Sequence, residues 1–181
     1  DGHVYVVDRL SPIVYRKTPE SKKLEAFVSN TDLAGLVDIA VTPDNSRIFV
    51  ADSEMGIFVV DPAAQQSAML GKPDNLNLYG LRGIEFVNGK LIILQGGISP
   101  QRVLRLELDE TGSQVANVSP MSAALPAFDG LGSGPIAADQ VFYFANAHSA
   151  DDTAGSLVVQ TPLEAGSEMV APDMTLFNQA V

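Results

Sequence analysis

The sequence has no cysteine, only two histidines in 181 residues, and no run of 18 or more apolar residues. Without thiols there are no disulfide staples, thiolate metal sites or cysteine nucleophiles. Without a long apolar run no segment reads as a membrane span, and no signal peptide is visible within these residues. Basic residues are scarce: 11 Lys and Arg stand against 22 Asp and Glu, for a net charge of −11. Neutralising a phosphate backbone needs a basic patch. The densest basic spots, Arg16-Lys17 and Lys22-Lys23, lie near turns and read as solvated strand ends. Nucleic acid is therefore excluded as a partner. No Gly-x-Ser-x-Gly occurs, so a nucleophile-elbow serine is absent as well.

What the chain does have is apolar content, 46% of residues, enough to bury the core of one domain. It also has a returning phrase: His3-Val-Tyr-Val-Val-Asp8, Arg47-Ile-Phe-Val-Ala-Asp52, Lys90-Leu-Ile-Ile-Leu-Gln95 and Gln140-Val-Phe-Tyr-Phe-Ala145. From Val4 to Ile48, Leu91 and Val141 the steps are 44, 43 and 50 residues. A period of this size, built from β-branched and aromatic runs, marks an all-β propeller with one four-stranded blade per repeat.

Turn residues divide each repeat into strands A to D. The second unit reads as A at Asp38–Val41, B at Arg47–Asp52, C at Gly56–Asp61 and D at Ser67–Leu70. The third reads as A at Gly83–Phe86, an Asn88-Gly89 hairpin turn, B at Lys90–Gln95, C at Arg102–Asp109 and D at Ser113–Val118. The fourth has A at Gly134–Ala138, B at Gln140–Asn146, C at Ser156–Gln160 and D at Met174–Phe177. The first has B at His3–Asp8, C at Ile13–Arg16 and D at Lys23–Val28. It lacks strand A.

The blade units are therefore residues 1–37, 38–82, 83–133 and 134–181, fifteen strands in one propeller domain or fragment. Four blades with one strand supplied from elsewhere is one arrangement. The expectation is instead part of a six-bladed propeller, with the missing blades or a second chain completing the ring. Two insertions, Ser119–Ser133 and Ala147–Gly155, break the period and are candidates for a rim or lid.

Chemistry-bearing residues gather at the ends of strands. Asp52, Gln95 and Asn146 end successive B strands, and Arg82, Gln101 and Arg102 come from loops around the third unit. If these loops share one face, Asp38, Arg82, Gln95, Arg102 and Asn146 form a ligand site in which the arginines suit an anionic or carboxylate-bearing ligand. Arg102 pairing with a neighbouring acid is the alternative. His148, in the second insertion beside Asp151 and Asp152, is the catalytic candidate, as a general base or metal ligand. His3 reads as a solvated turn residue. Asp151-Asp152 lacks calcium-loop spacing, Gly130–Gly134 opens a strand rather than the helix a phosphate loop needs, and Asn117-Val-Ser119 is a glycosylation sequon followed at once by Pro120.

Asp38-Ile-Ala-Val-Thr-Pro-Asp-Asn45 with Ile48-Phe-Val-Ala-Asp52 resembles the repeat of the six-bladed SMP-30/gluconolactonase and NHL-like propellers. Tyr79-Gly-Leu-Arg-Gly83, the stretch Leu94–Asp109 and Phe142-Tyr-Phe-Ala-Asn146 resemble a bacterial branch of that group. The resemblance implies a divalent cation, Ca²⁺ or Zn²⁺, held by Asp, Asn and Glu just before strand A, where it polarises a lactone or ester carbonyl and activates water. At those positions this chain has Val37, Arg82 and Ser133, with Asp38 one residue on as the metal candidate. These residues favour a binding or scaffold propeller, with a small molecule or protein at the channel mouth, over a metal-dependent lactonase or esterase. The resemblance also implies export, to the periplasm or outside the cell.

Overall fold

A strand that is apolar on both faces needs a partner on each side, and the B strands show where those partners lie. In β9 (Lys90–Gln95), Leu91 and Ile93 pack towards the sheet before it, while Ile92 and Leu94 pack towards the sheet after it. β5 (Ile48–Asp52) divides in the same way. Ile48 and Val50 join one core, and Phe49 and Ala51 join the next. Side chains alternate across a strand, so one apolar run feeds two cores.

The computed structural model describes residues 2–137, 139–147 and 155–164, and the backbone of 173–176. The first sheet contains β1 (Val4–Val7), β2 (Ile13–Lys17) and β3 (Glu25–Ser29); the second contains β4 (Leu36–Val41), β5, β6 (Gly56–Asp61) and β7 (Gln66–Met69). The third has β8 (Leu81–Val87), β9, β10 (Arg102–Leu108) and β11 (Val115–Ala123). The fourth has β12 (Ile136–Ala137), β13 (Gln140–Phe144), β14 (Leu157–Pro162) and β15 (Asp173–Leu176). Each sheet is an antiparallel meander in chain order. The first strands of successive sheets, β4 and β8, pack together, and β1 packs on β4, so the first three sheets radiate from a shared inner line. They are propeller blades. Three apolar cores fill the spaces between blades one and two, two and three, and three and four.

Local chemistry sets the turns. Asn88 and Gly89 both take positive φ, +48° and +76°, as a two-residue hairpin linking twisted strands requires. Asp61 and Asp109 close the C–D turns of blades two and three by accepting backbone N–H bonds from Ala63 and Ala64, and from Ser113 and Gln114.

Many strand ends differ by one or two residues from the sequence reading, and three of the differences have a clear structural cause. Strand A starts two residues earlier in the second and third blades, at Leu36 and Leu81, because the register shifts at Val37 and Arg82. The extra residue of a β-bulge breaks the two-residue period and hides the first part of the strand. β11 runs on to Ala123, through a stretch read as insertion. Pro120 lies within this extension, paired with Leu104 on the outermost strand beside a register shift, a place where proline is tolerated. The second insertion falls largely outside the described residues, and His148, Asp151 and Asp152 with it.

The two-sided B strand gives a stability prediction. Ile93→Ala should lower unfolding stability by about 2–5 kcal/mol, as for fully buried aliphatic truncations generally. Urea unfolding of the full chain measures it; a cost below about 1 kcal/mol would mean that blades two and three are not packed on each other through this strand.

Candidate functional site at the channel mouth

The B–C and D–A loops share one end of the meander, and the ends of the B strands sit among them. Asp52 is fully buried, and its carboxylate accepts four backbone N–H bonds. Oδ2 takes those of Ala34 and Gly35 at 2.7 and 2.9 Å, and Oδ1 those of Glu54 and Met55 at 2.8 and 3.0 Å. One side chain thus fixes both the loop entering β4 and the turn leaving β5. Gln95, at the same place one blade on, is also fully buried. Its Nε2 donates to the carbonyls of Asn77 and Tyr79, at 3.1 and 2.6 Å, and its Oε1 accepts from Arg102 Nε at 2.7 Å. The residue type follows the backbone it meets. An acceptor-only carboxylate suits a loop that presents N–H groups, and an amide suits one that presents carbonyls. Asn146 does related work: Nδ2 donates to Gly155 O at 2.9 Å, and Oδ1 accepts Leu157 N–H at 2.7 Å.

Asp38 is placed differently. Its Oδ1 accepts Ile39 N–H at 2.9 Å, while Oδ2 accepts Ile84 N–H at 3.0 Å and Ser133 Oγ–H at 3.2 Å. Ile84 belongs to the inner strand of blade three, and Ser133 to the loop entering blade four. One carboxylate therefore joins three consecutive blades. Gly83 makes room for this: a Cβ there would collide with Ser133 Oγ and come within 3.5 Å of Asp38 Oδ2. The negative charge of Asp38 has a second effect. Glu85, one residue beyond Ile84, has its pKa raised, first by burial and then by repulsion from Asp38.

The arginines separate. Arg102 donates from Nε to Gln95 and from Nη2 to Asn77 O at 3.2 Å, so it braces a loop. Gln101 also ties loops, its Oε1 accepting Leu131 N–H at 3.2 Å. Arg82 sits at the bulge of β8, its stem running past Gly96, and its guanidinium has no hydrogen bond or ion pair among the described residues. The structure thus brings Asp38, Arg82, Gln95 and Arg102 to the loops of blades two to four, with Asn146 on the outgoing loop of blade four. The sequence reading missed the roles of Ser133 and Ile84 N–H. The signal available was Gly132-Ser133-Gly134, a serine between two glycines just ahead of strand A, together with Gly83 at the matching place one blade earlier. No group of three or more His, Asp or Glu side chains able to hold a metal occurs among the described residues.

No family model matches the chain, and no curated protein matches it in sequence. Solved structures do match in shape. A nidogen/laminin complex aligns with TM-score 0.65 at 18% identity over 88% of this chain and 56% of that one. TolB from Acinetobacter baumannii aligns with TM-score 0.63 at 12% identity, over 95% and 39%. The PQQ-bound aldose sugar dehydrogenase of Streptomyces coelicolor aligns with TM-score 0.57 at 12% identity, over 86% and 53%. This chain has the β-propeller fold. It spans about half the length of these structures or less, and likeness at this identity shows the fold and does not separate one propeller family from another.

Glu85 makes the electrostatics testable. A carboxyl whose pKa is raised on folding binds its proton more tightly in the native state, so stability falls as pH rises from the ordinary Glu pKa through the folded value. Glu85→Gln removes that loss. The variant should melt higher than the parent at pH 7, with the gap closing below about pH 4. A gap that is constant with pH would show that Glu85 is not strained by its surroundings.

Proposed function

We propose that this chain is the binding part of a propeller protein similar to the SMP-30/gluconolactonase group, and that it takes a carboxylate-bearing ligand at the channel mouth without metal-dependent catalysis. The observation that carries this reading is the contrast between Arg82 and its neighbours. Asp38, Gln95 and Asn146 use their polar atoms to hold loops and blades together, and Arg102 is braced through two of its nitrogens. Arg82 keeps its donors for a ligand, and a guanidinium meets a carboxylate through two parallel bonds. With a net charge of −11 the chain repels anions at long range, so this selectivity rests on short-range geometry at Arg82. The reading carries with it export to the periplasm or the cell exterior, as the resemblance implies.

The second reading is a lactonase or ester hydrolase using Ca²⁺ or Zn²⁺, with Asp38 as ligand and His148 as base. It is favoured by the nearness of Asp38 and Glu85, two carboxylates beside the inner strands. Against it, both oxygens of Asp38 already accept protein hydrogen bonds, and Ser133 and Arg82 occupy positions where the resembled enzymes carry ligands.

The two readings part on one titration series. Glutarate, followed by amide NMR, should shift Arg82, Gly83 and Gly96 saturably and independently of chelator. Arg82→Gln should weaken that binding roughly tenfold or more, the value of a charge-assisted pair. Equal glutarate binding by parent and variant would remove Arg82 from the site. One-to-one binding of Ca²⁺ or Zn²⁺, with lactone hydrolysis lost on chelation, would establish the hydrolase instead.

A further inference from the structure

At the opposite end of the blades from the mouth, a groove of about 630 Å³ lies between blades two and three. The A–B turns of both blades and the C–D turn of blade three line it. Its apolar wall contains Phe49 and Phe86, stacked with ring centroids 5.6 Å apart and planes 12° from parallel. Phe49 is buried, and Phe86 is only partly covered, so Phe86 presents apolar surface to the groove.

The rim is charged and unbalanced. Asp44, Asp109 and Glu110 line the groove against a single guanidinium, that of Arg47. Arg47 donates to Ser46 O at 2.8 Å and also stabilises the Asp61 carboxylate outside the groove, so part of its field is drawn away. Asp44 and Asp109 are held in place as carboxylates. Asp44 Oδ1 accepts from Ser46 N and Oγ at 3.0 and 2.9 Å, and its pKa is lowered to about 2, chiefly by the Thr42 hydroxyl. Asp109 Oδ2 accepts the Thr111 hydroxyl at 2.7 Å, and its Oδ1 accepts the turn N–H groups. Fixed charges near an aromatic wall form a preorganised site for a cation with an apolar body.

We infer that this groove binds a small organic cation, an ammonium group carried on a flat apolar body. The ring lies against Phe86 and Leu108, and the ammonium points to the Asp44, Asp109 and Glu110 rim. The volume falls inside the range of about 300–1,000 Å³ usual for small-molecule sites. The inference is independent of Arg82, since the two places lie at opposite ends of the blades and favour opposite charges.

Three isosteric probes test it: 2-phenylethylammonium, neutral 2-phenylethanol and anionic 3-phenylpropanoate, each titrated into the full chain by amide NMR. The ammonium probe should shift Gly89, Thr111 and Gly112 saturably, and bind at least tenfold more tightly than either of the others. Added salt should weaken it. Glu110→Gln, at an exposed side chain, should weaken it several-fold, and Phe86→Leu should do so while leaving amide positions in blades one and four unchanged. Equal affinity for the three probes overturns the inference. So does an ammonium probe whose shifts fall on Arg82 and Gly96 rather than on the groove, or binding unaffected by both substitutions.

Discussion

Each inner blade has to serve two neighbours with one set of strands. The structure depends on this constraint. β5 and β9 meet it by sending successive side chains to opposite cores, so a blade taken alone would expose apolar surface on both faces. Stacking hides those faces but leaves the polar backbone of the linking loops to be satisfied. Asp52, Gln95 and Asn146 do this at or just past the ends of the B strands of blades two to four, and Asp38 adds a link across three blades. The same groups that looked like a ligand cluster thus hold the frame on which any ligand site must sit. Buried between blades three and four, the hydroxyls of Ser122 and Tyr143, 2.8 Å apart, with Thr161 alongside, solve a similar problem inside a core.

Much of the architecture was legible because the central strands of the blades, B and C, announce themselves. β6 and β9 begin and end at the residues read from the sequence, since turn residues and β-branched runs bound them without ambiguity. Strand A was less legible. Val37 and Arg82 sit in bulges, and a bulge removes the alternation on which the reading depends. β11 was cut short at Val118 for another reason: the residues from Ser119 on read as an insertion, and whether a strand tolerates a proline such as Pro120 depends on its place in the sheet, which one sequence does not state.

The site was legible as a set of positions and not as a set of roles. The ends of the B strands do gather at one face. Whether Gln95 faces a ligand or a loop depends on whether that loop offers carbonyls or N–H groups, a matter of backbone orientation. Ser133 reaches Asp38 from 95 residues away, only because Gly83 has no side chain between them. The groove at the other end had no sequence signal of its own, since Asp44, Phe86 and Glu110 come from three separate turns and strands that share nothing but position in space.

The central claim is that the polar groups at the mouth join the blades into one cooperative unit. Native-state hydrogen exchange tests it most directly, through the amides those groups accept. The Ile84 amide bound by Asp38, and the Ala34, Gly35, Glu54 and Met55 amides bound by Asp52, should be protected to the same degree as those within β5 and β9, and should open with them. If they exchange at the rate of exposed turns while the strands stay protected, the mouth is a loose rim and not the clasp of the fold.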